Sequence, residues 1–123
     1  MALSVSGFRP TFDYKIVYET AGGTTANKNV TLESGSLLSV DINNQYGTNA
    51  CYVRIFDGDD PTPGTSIPQF TFRCASADSQ RYEIPGGIPF SSLSFWVTRN
   101  KSPTDTTAPT VSQGGVIVSL VAT

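Results

Sequence analysis

In its strand-like segments this chain places apolar side chains at every second position, and no window of about 11–18 residues repeats them at the i, i+3, i+4, i+7 spacing of an amphipathic helix. Successive side chains of an extended backbone point to opposite faces, so the alternation marks strands with one dry and one wet side. The chain therefore reads as all-β. Phe12 to Glu19 sets Phe12, Tyr14, Ile16 and Tyr18 on one face and Asp13, Lys15, Val17 and Glu19 on the other, which predicts a half-buried strand. A short strand follows near Asn29 to Glu33, then Leu37 to Ile42 with Leu38, Val40 and Ile42 in alternation. Cys51–Phe56, Gln69–Arg73, Arg81–Ile84, Leu93–Thr98 and Val116–Thr123 complete the set. Segments rich in Gly, Pro, Asn, Asp, Ser and Thr separate them, among them Ala21 to Thr25, Asn43 to Gly47, Asp57 to Pro68 and Arg99 to Gln113.

Pairing Cys51–Phe56 with Gln69–Arg73 about the midpoint of their connection puts Cys51 opposite Cys74, Val53 opposite Phe72 and Ile55 opposite Phe70. All six then share one face, as a half-buried sheet requires, and Tyr52, Arg54 and Phe56 lie with Thr71 and Arg73 on the other. Pro85-Gly86-Gly87-Ile88-Pro89 lacks two ladder donors, so it cannot belong to a central strand and is expected to turn the chain. Trp96 lies on the opposite face of its strand from Leu93, Phe95 and Val97, which predicts cover on both faces. Val116 to Val121 is apolar on both faces and, read as an edge strand, needs a partner; that reading makes the chain a homo-oligomer, with a trimer as the first expectation.

The length of 123 residues suits one domain, residues 1–123, and the 38% of hydrophobic residues supplies one core. About eight short strands without a helix are accommodated most simply by an antiparallel two-sheet β-sandwich. Jelly-roll topology is favoured over an immunoglobulin-like one, because Trp96 follows both cysteines instead of standing between them. Charged residues are only 15% and the net charge is −2, which argues against nucleic acid and anionic lipid as partners. No apolar run approaches the roughly 20 residues of a membrane span, and MALSVSGFRP lacks the form of a secretory leader. The absence of histidine removes Ser-His-Asp and Cys-His catalysis, and two cysteines without histidine cannot complete a zinc site. The expectation is a protein with no enzymatic activity, no catalytic residues and no cofactor.

From Tyr52 to Leu120 the order YVRIFDGDDPTPGTSIPQFTF, IPGGIPFSSLSFWVTRNKSPTDTTAP and GGVIVSLV resembles small β-sandwich structural proteins and modules of tailed-phage virions. The matching positions are the turn residues Phe56, Asp57, Pro61, Thr62, Gly64, Thr65 and Pro68, the corner Gly87, Ile88, Phe90, then Leu93 and Thr98, and the loop Thr104 to Ala108. The matching stretch covers a little over half the chain. The two cysteines and Trp96 depart from the aliphatic residues of that pattern. What the resemblance implies is a virion component assembled in the host cytoplasm. The first expectation is a capsid decoration (cement) protein bound to the major capsid protein or other virion proteins; the alternatives are a tail, baseplate or fibre component and, from another class, a carbohydrate-binding host-recognition module.

Asp57, Asp59 and Asp60 form the densest carboxylate group and are weak metal candidates, weighed against an acidic turn whose aspartates bond their own backbone. Cys51 and Cys74 are either a cross-strand disulfide or two buried thiols. Arg54, Arg73, Arg81 and Arg99 suit carboxylates, on a neighbouring subunit or within the chain on Glu83 or Asp105. Tyr52, Phe56, Tyr82 and Trp96 make either a sugar platform or buried packing, and Asp41 with Glu83 is the acid pair a histidine-free enzyme would use. Asn29 and Asn100 start glycosylation tripeptides that we read as chance matches. For contacts with a lattice, the loops Asp57–Pro68 and Arg99–Gln113 and the C-terminal strand are the expected elements.

Overall fold

The computed structural model describes residues 14–123, and among them it contains seven strands and no helix. They are β1 (Lys15–Gly22), β2 (Gly35–Asn44), β3 (Cys51–Asp57), β4 (Phe70–Cys74), β5 (Asp78–Phe90), β6 (Leu93–Thr98) and β7 (Val116–Ala122). One antiparallel sheet has the order β1-β7-β2-β5 and the other β4-β3-β6. Their inner faces meet in one core, to which the first sheet contributes Leu37, Val40, Ile42, Val116, Val118 and Leu120 and the second Val53, Ile55, Leu93, Phe95 and Val97. The arrangement is sandwich-like, as alternating strands with one dry face each require.

The pairing of β3 with β4 follows the expected register: Cys51 faces Cys74, Val53 faces Phe72 and Ile55 faces Phe70. All six residues of β6 are buried, so both of its faces are covered. Several expectations need correction. The segment near Asn29 to Glu33 is a tight turn closed by the Leu32 amide on the Asn29 carbonyl (3.2 Å), with Asn29 at φ 46° and Leu32 at φ 62°, and forms no strand. Segment 23–30 runs instead along the free side of β6. There Asn27 and Phe95 exchange both backbone hydrogen bonds (2.8 and 3.0 Å), the Val97 amide donates to the Gly23 carbonyl (2.8 Å) and the Val30 amide to the Leu93 carbonyl (2.8 Å).

Pro85 to Pro89 does not turn the chain. β5 continues through it, because β5 is an edge strand and a missing donor on the outer side of an edge costs no ladder bond. The interruption appears in the register, which passes from Glu83 opposite Ser39 to Ile88 opposite Leu37. Gly87, at φ 74°, allows the close approach there: a Cβ would lie 2.9 Å from the Ser36 Cβ. The same irregularity shifts the alternation of β2, so Leu37 points into the core and Leu38 does not.

β7 is not an edge strand. It lies between β1 and β2 and completes the first sheet, which explains an apolar run at this position without a second subunit. Val116, Val118, Leu120 and Ala122 face the core, and their partners on β1 are Gly22, Glu19, Val17 and Lys15. Directly opposed residues share a face, so β1 turns Ile16 and Tyr18 outward, with 71% and 64% of their surfaces exposed. Tyr14 lies outward with them; Phe12 and Asp13 fall outside the described residues.

Leu120, fully buried where β7 bridges β1 and β2, is a sensitive test of this topology. Leu120→Ala is expected to destabilise the fold by about 3 kcal/mol in urea denaturation. A loss below about 1 kcal/mol would place β7 at an edge instead.

Candidate functional site

Two of the three elements expected to make contacts come together, and a buried arginine organises them. On β3, Tyr52, Arg54 and Phe56 point away from the core toward the outer side of the three-stranded sheet, where Arg54 lies opposite Trp96 of β6. A guanidinium carries five N–H donors, and all five of Arg54 are used. Nε donates to the Thr98 hydroxyl (3.0 Å), Nη1 to the Thr71 hydroxyl (3.1 Å) and the Lys101 carbonyl (3.2 Å), and Nη2 to the carbonyls of Asn100 and Ser102 (2.8 Å for the latter). Its side chain is only 1% exposed, and its carbon Cζ lies 5.2 Å from the centre of the Tyr52 ring. Burial pushes the guanidinium below its ordinary value, which the negative charge of Asp105 opposes.

The loop held in this way closes on itself through Asp105. Its carboxylate accepts from the Asn100 amide (2.9 Å), the Asn100 side chain (3.3 Å) and the Thr107 hydroxyl (2.8 Å), while the Arg99 amide donates to the Thr107 carbonyl (2.9 Å). Partial burial raises the Asp105 carboxyl, and these hydrogen bonds outweigh it, leaving the group below the ordinary carboxylate value. Further along, the Thr48 amide donates to the Thr110 carbonyl (3.0 Å) and the Ser112 amide to the Tyr46 carbonyl (2.8 Å), so the loop is anchored at both ends.

The Asp57–Pro68 loop abuts it. Gly64, at φ 93°, lies against Thr106, and a Cβ there would sit 2.7 Å from the Thr106 methyl group. The Thr62 carbonyl accepts from the amides of Thr65 and Ser66 (3.0 and 2.8 Å), closing a turn. Lys28, from the segment along β6, pairs with Asp60 at 2.5 Å and holds that carboxyl below its ordinary value. Thr24, Thr25, Pro61, Thr62, Pro63 and Thr106 line the shallow depression between the three segments. The result is a threonine- and proline-rich surface, ordered by hydrogen bonds and nearly neutral.

The remaining candidates are placed elsewhere. Asp57 accepts from the amides of Ser91 and Ser92 (2.9 and 3.0 Å), joining β3 to the turn after β5, and Asp60 turns to Lys28. Among the described residues no three His, Cys, Asp or Glu side chains gather as a metal site would require. Cys51 and Cys74 are neighbouring buried thiols in the core; burial pushes Cys51 up to about 12 and raises Cys74 as well, so neither is an activated nucleophile. Arg81 reaches both Asp41 and Glu83 at 3.2 Å on the outer side of the four-stranded sheet, so the fold does bring that acid pair together, with a guanidinium between the two. Of the two readings of the four aromatics, packing is the one the geometry shows. Trp96 is fully buried against Phe56 (6.1 Å between ring centres), whereas Tyr82 packs on Phe72 (5.0 Å). β7, the third expected contact element, is internal to its sheet.

Sequence reasoning missed the role of Arg54. The signal was present: a cation within an alternating strand, flanked by Tyr52 and Phe56 on the same face and paired by register with the two threonines it bonds or their neighbours. Compared with known proteins, the chain matches no family model, no curated protein and no solved structure.

Removing the guanidinium leaves the carbonyls of Asn100, Lys101 and Ser102 without these donors. Arg54→Ala is expected to cost about 3 kcal/mol in denaturant unfolding and to release amide protection at Arg99 and Asn100. Because Asp105 is held below its ordinary value, folding favours its ionised form. The stability this adds is complete above about pH 4 and is lost as pH falls through the folded-state value. Hydrogen exchange followed from pH 5 to pH 2 should show the loop opening in acid, and Asp105→Asn should remove that pH dependence.

Proposed function

We propose that this protein is a non-enzymatic structural component of a phage virion, a decoration protein that binds the assembled capsid lattice and stabilises it. The observation that carries the reading is the composite loop surface: the two loops richest in the virion-like motif are joined to each other at Gly64 and Thr106 and held in one shape from below by Arg54. The motif residues serve this construction. Asp57 caps the turn that follows Phe90, Thr62 and Thr65 close the first loop, and Asp105 and Thr107 close the second.

The strand order supports a jelly roll. Counting segment 23–30 as a strand because of its bonds to β6, the two sheets read 1-8-3-6 and 2-7-4-5 along the chain, the order of two nested Greek keys. An ordered surface loses little conformational entropy on docking, and a nearly neutral one binds by shape and hydrogen bonding with little dependence on salt. The stabilising mechanism is mass action. A protein that binds the assembled shell and not its separated subunits raises the cost of disassembly by its binding free energy, repeated over many copies.

Co-sedimentation with decoration-free capsids, using tails as the control, tests the proposal. Saturable binding to capsids and a raised capsid melting temperature are expected, with Thr25→Arg, at an exposed position lining the depression, weakening binding at least tenfold while the isolated protein melts as before. Binding to tails alone would move the protein to the tail, and binding to neither particle would remove the virion reading.

A further inference from the structure

The two sheets present four edges, and three of them are blunted. β5 carries Pro85 and Pro89 and breaks register between them; β4 has only five residues; β6 is covered by segment 23–30. β1 is different. Among the described residues it has one strand neighbour, β7, it contains no proline, and its pairing is regular from Lys15 to Glu19, with a register shift only beyond them, before Gly22. It also turns Ile16 and Tyr18 outward, beside Val121 and Ser119 of β7.

The order of residues along β1 is complementary to itself. Lys15 and Glu19 stand two positions on either side of Val17, and Ile16 and Tyr18 one position on either side. If a second copy of β1 is laid antiparallel with Val17 opposite Val17, each Lys15 faces the partner's Glu19 and each Ile16 faces the partner's Tyr18. Directly opposed residues in an antiparallel pair share a face. The charged pairs would then lie on one face and the four apolar side chains on the other. A one-residue slip destroys both matches, because it moves every side chain of one strand to the opposite face relative to its partner. Within the protomer Lys15 already contacts Glu33, and Glu19 accepts from the Ala21 amide through one oxygen (2.9 Å). An ammonium has three donors and a carboxylate two oxygens, so both retain capacity for a second partner.

We propose that β1 is a self-association edge: two copies of the chain pair through it about a twofold axis centred at Val17, joining their four-stranded sheets into one continuous sheet. The occupant of this edge is a second copy of the same strand, and the interface is isologous. It relocates the self-association expected of this chain from β7 to β1 and gives it twofold instead of threefold symmetry. The proposal is independent of capsid binding, since the loop surface belongs to the other sheet.

Sedimentation equilibrium of the full chain at micromolar concentration should give twice its 13.1 kDa. Ile16→Lys should yield a folded monomer that melts as the wild type does when diluted below its dimer dissociation constant, because Ile16 is exposed in the single chain. Lys15→Glu and Glu19→Lys each place like charges opposite one another in a homodimer and should weaken it at least tenfold. Mixed in equal amounts, the two variants restore both attractive pairs and should recover dimer, an outcome that destabilisation of the fold could not produce. A monomeric or trimeric wild type would overturn the proposal. So would a dimer that is indifferent to Ile16→Lys, or a failure of the mixed charge variants to associate; either would place the contact between copies elsewhere than at β1.

Discussion

The Arg54 guanidinium holds together the half of the molecule that is not held by the core. An isolated charge in a buried position is costly, and here all five donors find oxygen. Three of those oxygens are consecutive backbone carbonyls of a loop that has no regular secondary structure to satisfy them. The arginine and the loop therefore need each other: one supplies donors to a strand-free backbone, the other supplies acceptors to a cation away from water. With the loop fixed, the outer face of the three-stranded sheet is covered over Arg54 and Trp96, while Thr71 and Arg73 of β4 stay exposed. With Thr106 fixed, the loop carrying Gly64 has a wall to pack against.

The four-stranded sheet follows a different logic. Its inner face is organised by β7, whose alternating core residues dictate which side of β1 and β2 faces inward. Its outer face is wet, with Arg81 bridging Asp41 and Glu83 toward one edge and Ile16 and Tyr18 exposed at the other. The three-stranded sheet is thus covered on both sides at β6 and Arg54, and the four-stranded sheet on one side. The three-stranded sheet carries the loops proposed to bind a lattice, and the four-stranded sheet carries the edge proposed to pair with a second copy.

Much of this was legible in the chain. The β3–β4 register followed from two hydrophobic patterns that only one alignment satisfies, and the burial of both faces of β6 followed from Trp96 standing opposite Phe95 and Val97. The glycines and prolines of the loops marked where regular pairing stops. Other features were not legible. Alternation predicted that one face of β1 is buried without saying which; the phase of β7 turns Ile16 and Tyr18 outward, and nothing local to residues 14–20 encodes that choice. Pro85 to Pro89 argued for a turn because proline excludes a central strand, but its effect depends on whether the strand is at an edge, and edge position is set by the whole sheet.

Alternation, turn chemistry and the absence of histidine are local or compositional properties, so the sequence by itself determined an all-β chain, most of its strand positions and the lack of histidine-based chemistry. Which strand lies between which others is a property of long-range contacts. Only the tertiary structure decided that the C-terminal strand is central, that Asp57 and Asp60 serve separate partners, and that residues 54 and 100–102, nearly fifty positions apart, share one buried charge. The physical reason is that burial, and with it the direction of a side chain or the partner of a polar group, is settled only when the second layer of the sandwich is in place.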